Sequence, residues 1–237
     1  MKLTDQPRDA SASREMDMAE DRNGFWLLAA GALLFAAAFV LGIDWLHLDQ
    51  VAEGPVTAAA LIALGTLLFG LPYALREVLR RETNWLLVAF LLILIPVFHA
   101  VGAGAFYYVS EAIAKAALRA AEAAAAATDP EAMMQSAPEG STTPRMLMGL
   151  AAGFAGAVGP MLALGLLRRL RAAAASPWLL VGAVVALAWW GGMGMRLATF
   201  EVTYDMAVTL FLPWQVLLAF FLSLLLRPSP PKGAAPQ

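Results

Sequence analysis

Trp26-Leu27-Leu28-Ala29-Ala30-Gly31-Ala32-Leu33-Leu34-Phe35 lies in a stretch, about 24–43, with no ionisable side chain between Arg22 and Asp44. About 20 apolar residues in a helix span the hydrocarbon core of a bilayer. The triplet returns as Trp85-Leu86-Leu87 and as Trp178-Leu179-Leu180, each time opening a long apolar run. Amphipathic indole rings favour membrane interfaces, so each triplet reads as the interfacial start of an outward-going helix.

Working outward, the apolar runs are about 24–43, 55–75, 84–108, 145–167, 177–198 and 203–226. The chain is 60% hydrophobic and 14% charged over 237 residues, with a mean hydropathy of +0.68. A soluble domain of that size would have to expose large apolar patches. The expected fold is therefore an all-α, polytopic integral membrane protein with six transmembrane helices forming one domain over 23–227. Residues 1–22 and 228–237 read as disordered cytoplasmic tails. A signal peptide with a cleavage site near Ala36-Ala37-Ala38 is disfavoured, because the preceding tail is long and acidic rather than short and basic.

Residues 109–143 read as an extracytoplasmic Ala-rich helix and loop. Alanine favours helix but anchors weakly in lipid, and Glu111 and Lys115 form a favourable i,i+4 pair. Asp129-Pro130 ends this helix. Thr143-Pro144 and Ser176-Pro177 cap the fourth and fifth runs, since a proline at the first helical position removes an unpaired donor.

Twelve of the sixteen Lys and Arg fall on one side of a six-span chain: Lys2, Arg8, Arg14, Arg22, Arg76, Arg80, Arg81, Arg168, Arg169, Arg171, Arg227 and Lys232. The positive-inside rule then puts both termini in the cytoplasm of a bacterial-type inner membrane. A seventh span through the Ala-rich segment would send Arg168, Arg169 and Arg171 outside and is rejected.

The triplets suggest three repeated helical hairpins. The interval from Trp26 to Trp85 matches that from Trp85 to Trp178 once 109–143 is removed as an insertion. Pro72 and Pro160 also stand at the same offset before Arg80-Arg81 and Arg168-Arg169, whereas Pro213 has no such pair. An inverted three-plus-three repeat is the formal alternative, with no residue match behind it.

Gly149, Gly153 and Gly156 form a small-residue stripe with Pro160 and Ala163, expected to let two helices approach closely. Pro96 predicts a kink in the third run just before His99, which lies about 21 Å beyond Trp85 at the standard helical rise. An ionisable residue at that depth is a candidate for function, although a hydrogen bond to a carbonyl freed by the kink is the more frequent outcome. Trp189 and Trp190, beside Gly191, Gly192 and Gly194, suggest large rings fitting where side chains are missing. On the sixth run Asp205, Thr209, Val216, Ala219 and Ser223 share a face at the 3.6-residue period, with Pro213 and Gln215 at its middle.

The candidate intramembrane or ligand site is therefore His99, Arg196, Asp205 and Gln215, with Arg196 and Asp205 close enough in depth to pair. Asp44, His47 and Asp49 form a candidate weak cation site whose metal the sequence does not identify. There is no cysteine, no His-Glu-x-x-His and no phosphate-binding Gly-Lys-Ser/Thr loop. One membrane-depth histidine does not make a bis-histidine haem site. No cofactor is expected, an enzyme is the least favoured class, and a net charge of -2 disfavours nucleic acid as a partner.

Two functions remain. The favoured one is a non-catalytic accessory, assembly or anchoring protein that binds another membrane protein, or itself as a homo-oligomer, through helix–helix contacts within the lipid bilayer. The alternative is a small permease or ion-coupled transporter with a polar site in the outer half of the membrane.

Overall fold

The computed structural model describes residues 8–45, 47, 55–80, 83–126, 142–170, 176–198 and 203–226; within these, the side chains of 8–22, 55–59, 61, 121, 124–126, 142, 168–170 and 203–204 are not described. Asp49 and the segments 127–141 and 227–237 lie outside the described residues. Among those described, the chain is all helical, and five stretches are long and apolar enough to cross a membrane. These are Asn23–Asp44, Trp85–Ala120, Thr143–Leu167, Pro177–Leu197 and Ala207–Leu226. These long apolar helices are consistent with a helical membrane protein.

Helix α1 is Arg8–Asp44 and α2 is Pro55–Val78. Helix α3 joins Trp85–Ala89, a π-turn at Phe90–Leu94 and Ile95–Ala126. Helix α4 is Thr142–Leu170 and α5 is Pro177–Leu197. Helix α6 joins Thr203–Met206, a second π-turn at Ala207–Phe211 and Leu212–Leu226.

Two boundaries differ from the sequence expectation. Helix α1 begins at Arg8 and not near residue 24, so 8–22 are helical where a disordered tail is expected. Extending an existing helix avoids the costly nucleation step, and Ala, Arg, Glu and Met are good helix formers. The third run does not end near residue 108: the Ala-rich segment continues it, and α3 runs unbroken from Ile95 to Ala126.

The expected kink at Pro96 takes the form of a widened turn. Ile95 donates its N–H to the Phe90 carbonyl, and in α6 Leu212 donates to Ala207. Each π-turn stops just before a proline, Pro96 or Pro213. A proline ring in a regular α-helix collides with the carbonyl four residues back, and opening the turn relieves that collision. At the start of α3, Asn84 caps the helix by accepting from the Leu87 N–H at 3.3 Å. Ser176 makes no side-chain cap, so at α5 the relief comes from Pro177 alone.

Sequential helices pack with their contacts in reversed order, so neighbours run in opposite directions. Gly24 meets Tyr73, Gly31 meets Phe69 and Gly65 meets Phe35 between α1 and α2. Gly102 meets Ala152 and Phe98 meets Gly159 between α3 and α4. Gly149 meets Gly191, Gly153 meets Leu187 and Gly165 meets Leu180 between α4 and α5. Between α5 and α6, Gly194 meets Leu210, and the Trp214 indole donates to the Leu187 carbonyl at 3.1 Å. Phe35 and Phe39 of α1 pack against Phe211, which brings the last helix beside the first.

The apolar core occupies one end of this bundle. It comprises Leu28 and Ala32 of α1, Phe69 and Tyr73 of α2, Leu87 to Ile95 of α3, Ala157 to Leu164 of α4, Ala183 and Leu187 of α5 and Trp214 to Leu225 of α6. In the apolar spans of the odd-numbered helices these positions lie in the first half or at the middle, and in the even-numbered helices at the middle or in the second half. Trp26, Trp85 and Trp178 are exposed toward this same end, as membrane-facing rings would be.

Candidate functional site

The opposite end is hollow. A cavity of about 810 Å³ is lined by Phe35 to Ile43 positions of α1, Ile62 to Gly65 of α2, His99 to Tyr107 of α3, Gly149 to Gly156 of α4, Gly191 and Met195 of α5 and Met206 to Trp214 of α6. All six helices contribute. His99, Gly156 and Trp214 mark its floor against the packed core, while Ile43, Tyr107, Met195 and Met206 stand toward the helix ends. The lining is overwhelmingly apolar, and among the described residues it contains no Lys, Arg, Asp or Glu.

His99 reaches the floor because it follows Pro96 by less than one helical turn, on the regular helix beyond the π-turn. Its Nδ1 lies 2.9 Å from the Ile95 carbonyl oxygen. A carbonyl only accepts, so Nδ1 carries the proton and, in the neutral ring, Nε2 is the acceptor. That Nε2 is buried and has no hydrogen-bond partner. The ring meets Trp214 edge-on at 5.1 Å between centroids and faces Phe69 at 6.4 Å. This is not the expected bond to a carbonyl freed by the kink, since the donor missing at Pro96 leaves carbonyls at Leu91 or Leu92 rather than at Ile95; the bond seen lies within α3 and uses one of the two ring nitrogens.

The other members of the expected polar site do not converge on His99 in the cavity wall. Arg196 is exposed and does not line the cavity. Asp205 accepts from the Thr209 hydroxyl at 2.9 Å across the start of the π-turn. Gln215 is fully buried, with neither amide atom partnered, and it too is absent from the lining. Of the candidate cation site, Asp44 and His47 are exposed, His47 with a left-handed φ of 50°, and Asp49 lies outside the described residues. Among the described residues no group of three His, Cys, Asp or Glu could hold a metal ion.

Gly149 and Gly153 lie against α5. A Cβ on Gly149 would overlap the Gly191 carbonyl, and one on Gly153 would come within 2.7 Å of the Leu187 carbonyl. Gly156 instead faces Trp214 at 3.5 Å. The stripe thus joins helices of the same chain at its edges and forms cavity wall between them. Gly191, Gly192 and Gly194 receive Gly149, Leu150 and Leu210 rather than tryptophan rings. Trp189 is exposed, while Trp190 is partly buried with its indole N–H unpartnered.

At the packed end the sequence reading missed Glu77. It is 3% exposed despite its charge, and Arg80 pairs with it at 3.0 Å. Arg76 lies over the Tyr73 ring at 5.9 Å, which anchors the same turn of α2. The i,i+3 spacing of Glu77 and Arg80 is the signal that marks this pair in the sequence.

No family model, curated protein or solved structure matches the chain.

Proposed function

We propose that the chain is a six-span carrier or binding protein for a small lipophilic molecule, standing in a bacterial-type inner membrane with both termini cytoplasmic and the hollow end outward. The observation behind this reading is the division of one bundle into a packed half and a half enclosing about 810 Å³, with every helix contributing to the wall. Pockets of that size suit molecules of drug or lipid-fragment dimensions, and an uncharged lining favours a ligand that sheds little water on entry. Helix α2, antiparallel to both neighbours, is the sixth span. The orientation rests on the basic residues, of which Arg76 and Arg80 lie at the packed end.

This is the permease reading with its chemistry altered. Ion coupling has less support, because Asp205 and Arg196 do not line the cavity. The glycine stripe gives less support to the accessory reading, since Gly149 and Gly153 pack against α5 of the same chain. The three-hairpin repeat is consistent with equivalent exposed tryptophans on α1, α3 and α5, and the function does not depend on it.

The test is binding of the apolar dye 1-aminoanthracene to the purified chain in lipid nanodiscs, with empty nanodiscs as the baseline. Saturable binding is expected in the wild type. Filling the cavity with Ala38→Phe and Ala103→Phe together should weaken it by about tenfold or more while the helical circular dichroism is unchanged. No saturable signal in the wild type would end the proposal.

A further inference from the structure

We infer that the cavity opens sideways into the bilayer through the seam between α1 and α2, so that its ligand is a lipophile dissolved in the membrane and enters from there rather than from water. This rests on the carrier reading above and names the source of the molecule carried.

Two residues belong to the inner and the outer surface at once. Leu41 of α1 and Leu64 of α2 line the cavity, yet they are 49% and 62% exposed, and every other described lining residue is buried or half-buried. Their outward direction follows from the helical period. Leu41 continues the exposed stripe of Leu34 and Ala37 along α1, and Leu64 lies on the exposed stripe of Ala60, Leu67 and Leu71 along α2. Inward of this pair the described lining residues on the facing sides are small: Ala38 and Gly42 on α1 and Gly65 on α2. The cavity wall thus runs out between two lipid-facing leucines.

Four other seams are closed at this level. A Cβ on Gly102 would come within 3.0 Å of the Ala152 carbonyl between α3 and α4, and one on Gly149 would overlap Gly191 between α4 and α5. Between α5 and α6 a Cβ on Gly194 would meet Leu210 at 2.8 Å, and between α6 and α1 the Phe39 and Phe211 rings are 4.6 Å apart. In the α1–α2 seam the close contacts, Gly31 with Phe69 and Gly65 with Phe35, lie on the packed side of Leu41.

That register gives the slot its height and depth. Leu41 stands level with position 59, five residues or about 7.5 Å further out than Leu64. Leu64 itself lies nine residues inside the start of α2 at Pro55, about 14 Å along the axis, at the depth of acyl chains. An apolar molecule is concentrated in the bilayer by its own transfer free energy, and a lateral slot spares it the return to water. The leucines at the slot edges are apolar, as that route requires.

The experiment narrows the slot and reads rates. Stopped-flow fluorescence follows 1-aminoanthracene entering the full chain in nanodiscs and leaving it on mixing with excess empty nanodiscs, whose own uptake gives the rate of partition into lipid. Leu41→Trp with Leu64→Trp should slow entry and exit alike by about tenfold and change Kd by less than about threefold, since a gate acts equally in both directions. Leu34→Trp with Leu71→Trp places the same rings on the same two exposed stripes away from the cavity and should leave both rates unchanged. Leu41→Ala with Leu64→Ala widens the slot and should speed both.

Unchanged rates after the Leu41 and Leu64 tryptophan substitutions, or an equal slowing by those at Leu34 and Leu71, overturn the inference and leave the carrier reading standing. So does a change confined to the exit rate, which would make the two leucines binding wall and not gate. Absence of saturable dye binding in the wild type overturns both. Should the tryptophan substitutions at Leu41 and Leu64 prevent folding, the alanine substitutions decide: rates equal to those of the wild type overturn the inference.

Discussion

Gly191→Leu should destabilise the bundle by about 3 kcal/mol or more, whereas Gly182→Leu, on the same helix, should be close to neutral. A Cβ at Gly191 would overlap the Gly149 carbonyl and lie 3.1 Å from the Gly153 Cα, so α4 and α5 would have to separate. Both close neighbours are backbone and cannot rotate away as a side chain would. Nothing lies within 4 Å of a Cβ added at Gly182. In lipid no hydrophobic drive between helices compensates for a lost close approach, so the penalty acts directly on helix association. Equilibrium unfolding in mixed micelles, followed by tryptophan fluorescence, compares the two variants. Equal effects would show that α4 and α5 do not depend on this contact.

Gln215→Met should stabilise the protein by about 1–3 kcal/mol. Gln215 is fully buried, and neither its Oε1 nor its Nε2 has a partner. A methionine of similar length keeps the packing and removes the unpaired amide. Its neighbour Trp214 lines the cavity floor, so the same variant should be assayed for dye binding. A gain in stability with a loss of binding would mark Gln215 as a residue retained for function at the expense of the fold. A loss of stability would mean that the amide is hydrogen-bonded in the folded chain.

The apolar helices were legible in the sequence because hydrophobic length is a one-dimensional property. The disturbance at Pro96 was legible for the same reason: proline acts on its own turn. The cavity was not. Gly149, Gly153 and Gly156 read as one packing stripe, yet two of them meet α5 and the third faces Trp214, and only the arrangement of six helices decides between contact and space. His99 was singled out by its depth, but its free Nε2 depends on where the ring sits relative to Ile95, Phe69 and Trp214. Gln215 was placed mid-helix without any sign that its amide would be buried unpaired. The face drawn through Asp205, Thr209, Val216, Ala219 and Ser223 holds for Asp205 and Thr209, which bond. Beyond Phe211 the π-turn shifts the period, so a wheel drawn at 3.6 residues per turn assigns Val216, Ala219 and Ser223 to the wrong azimuth.

The same widened turn bears on how α3 tolerates a change in length. Phe90–Leu94 holds one residue more than a regular helix would between the core-facing Leu87 and the cavity-facing His99. Deleting a single residue there lets the ladder close with both flanks still facing as they do now, although it restores the Pro96 collision that the open turn relieves. Deleting one from the regular helix between Ile95 and His99 instead turns everything beyond it by about 100° and swings the imidazole off the cavity floor. Within this span, only the π-turn can lose one residue without turning His99 away from the cavity, and it does so at the expense of the fit of Pro96.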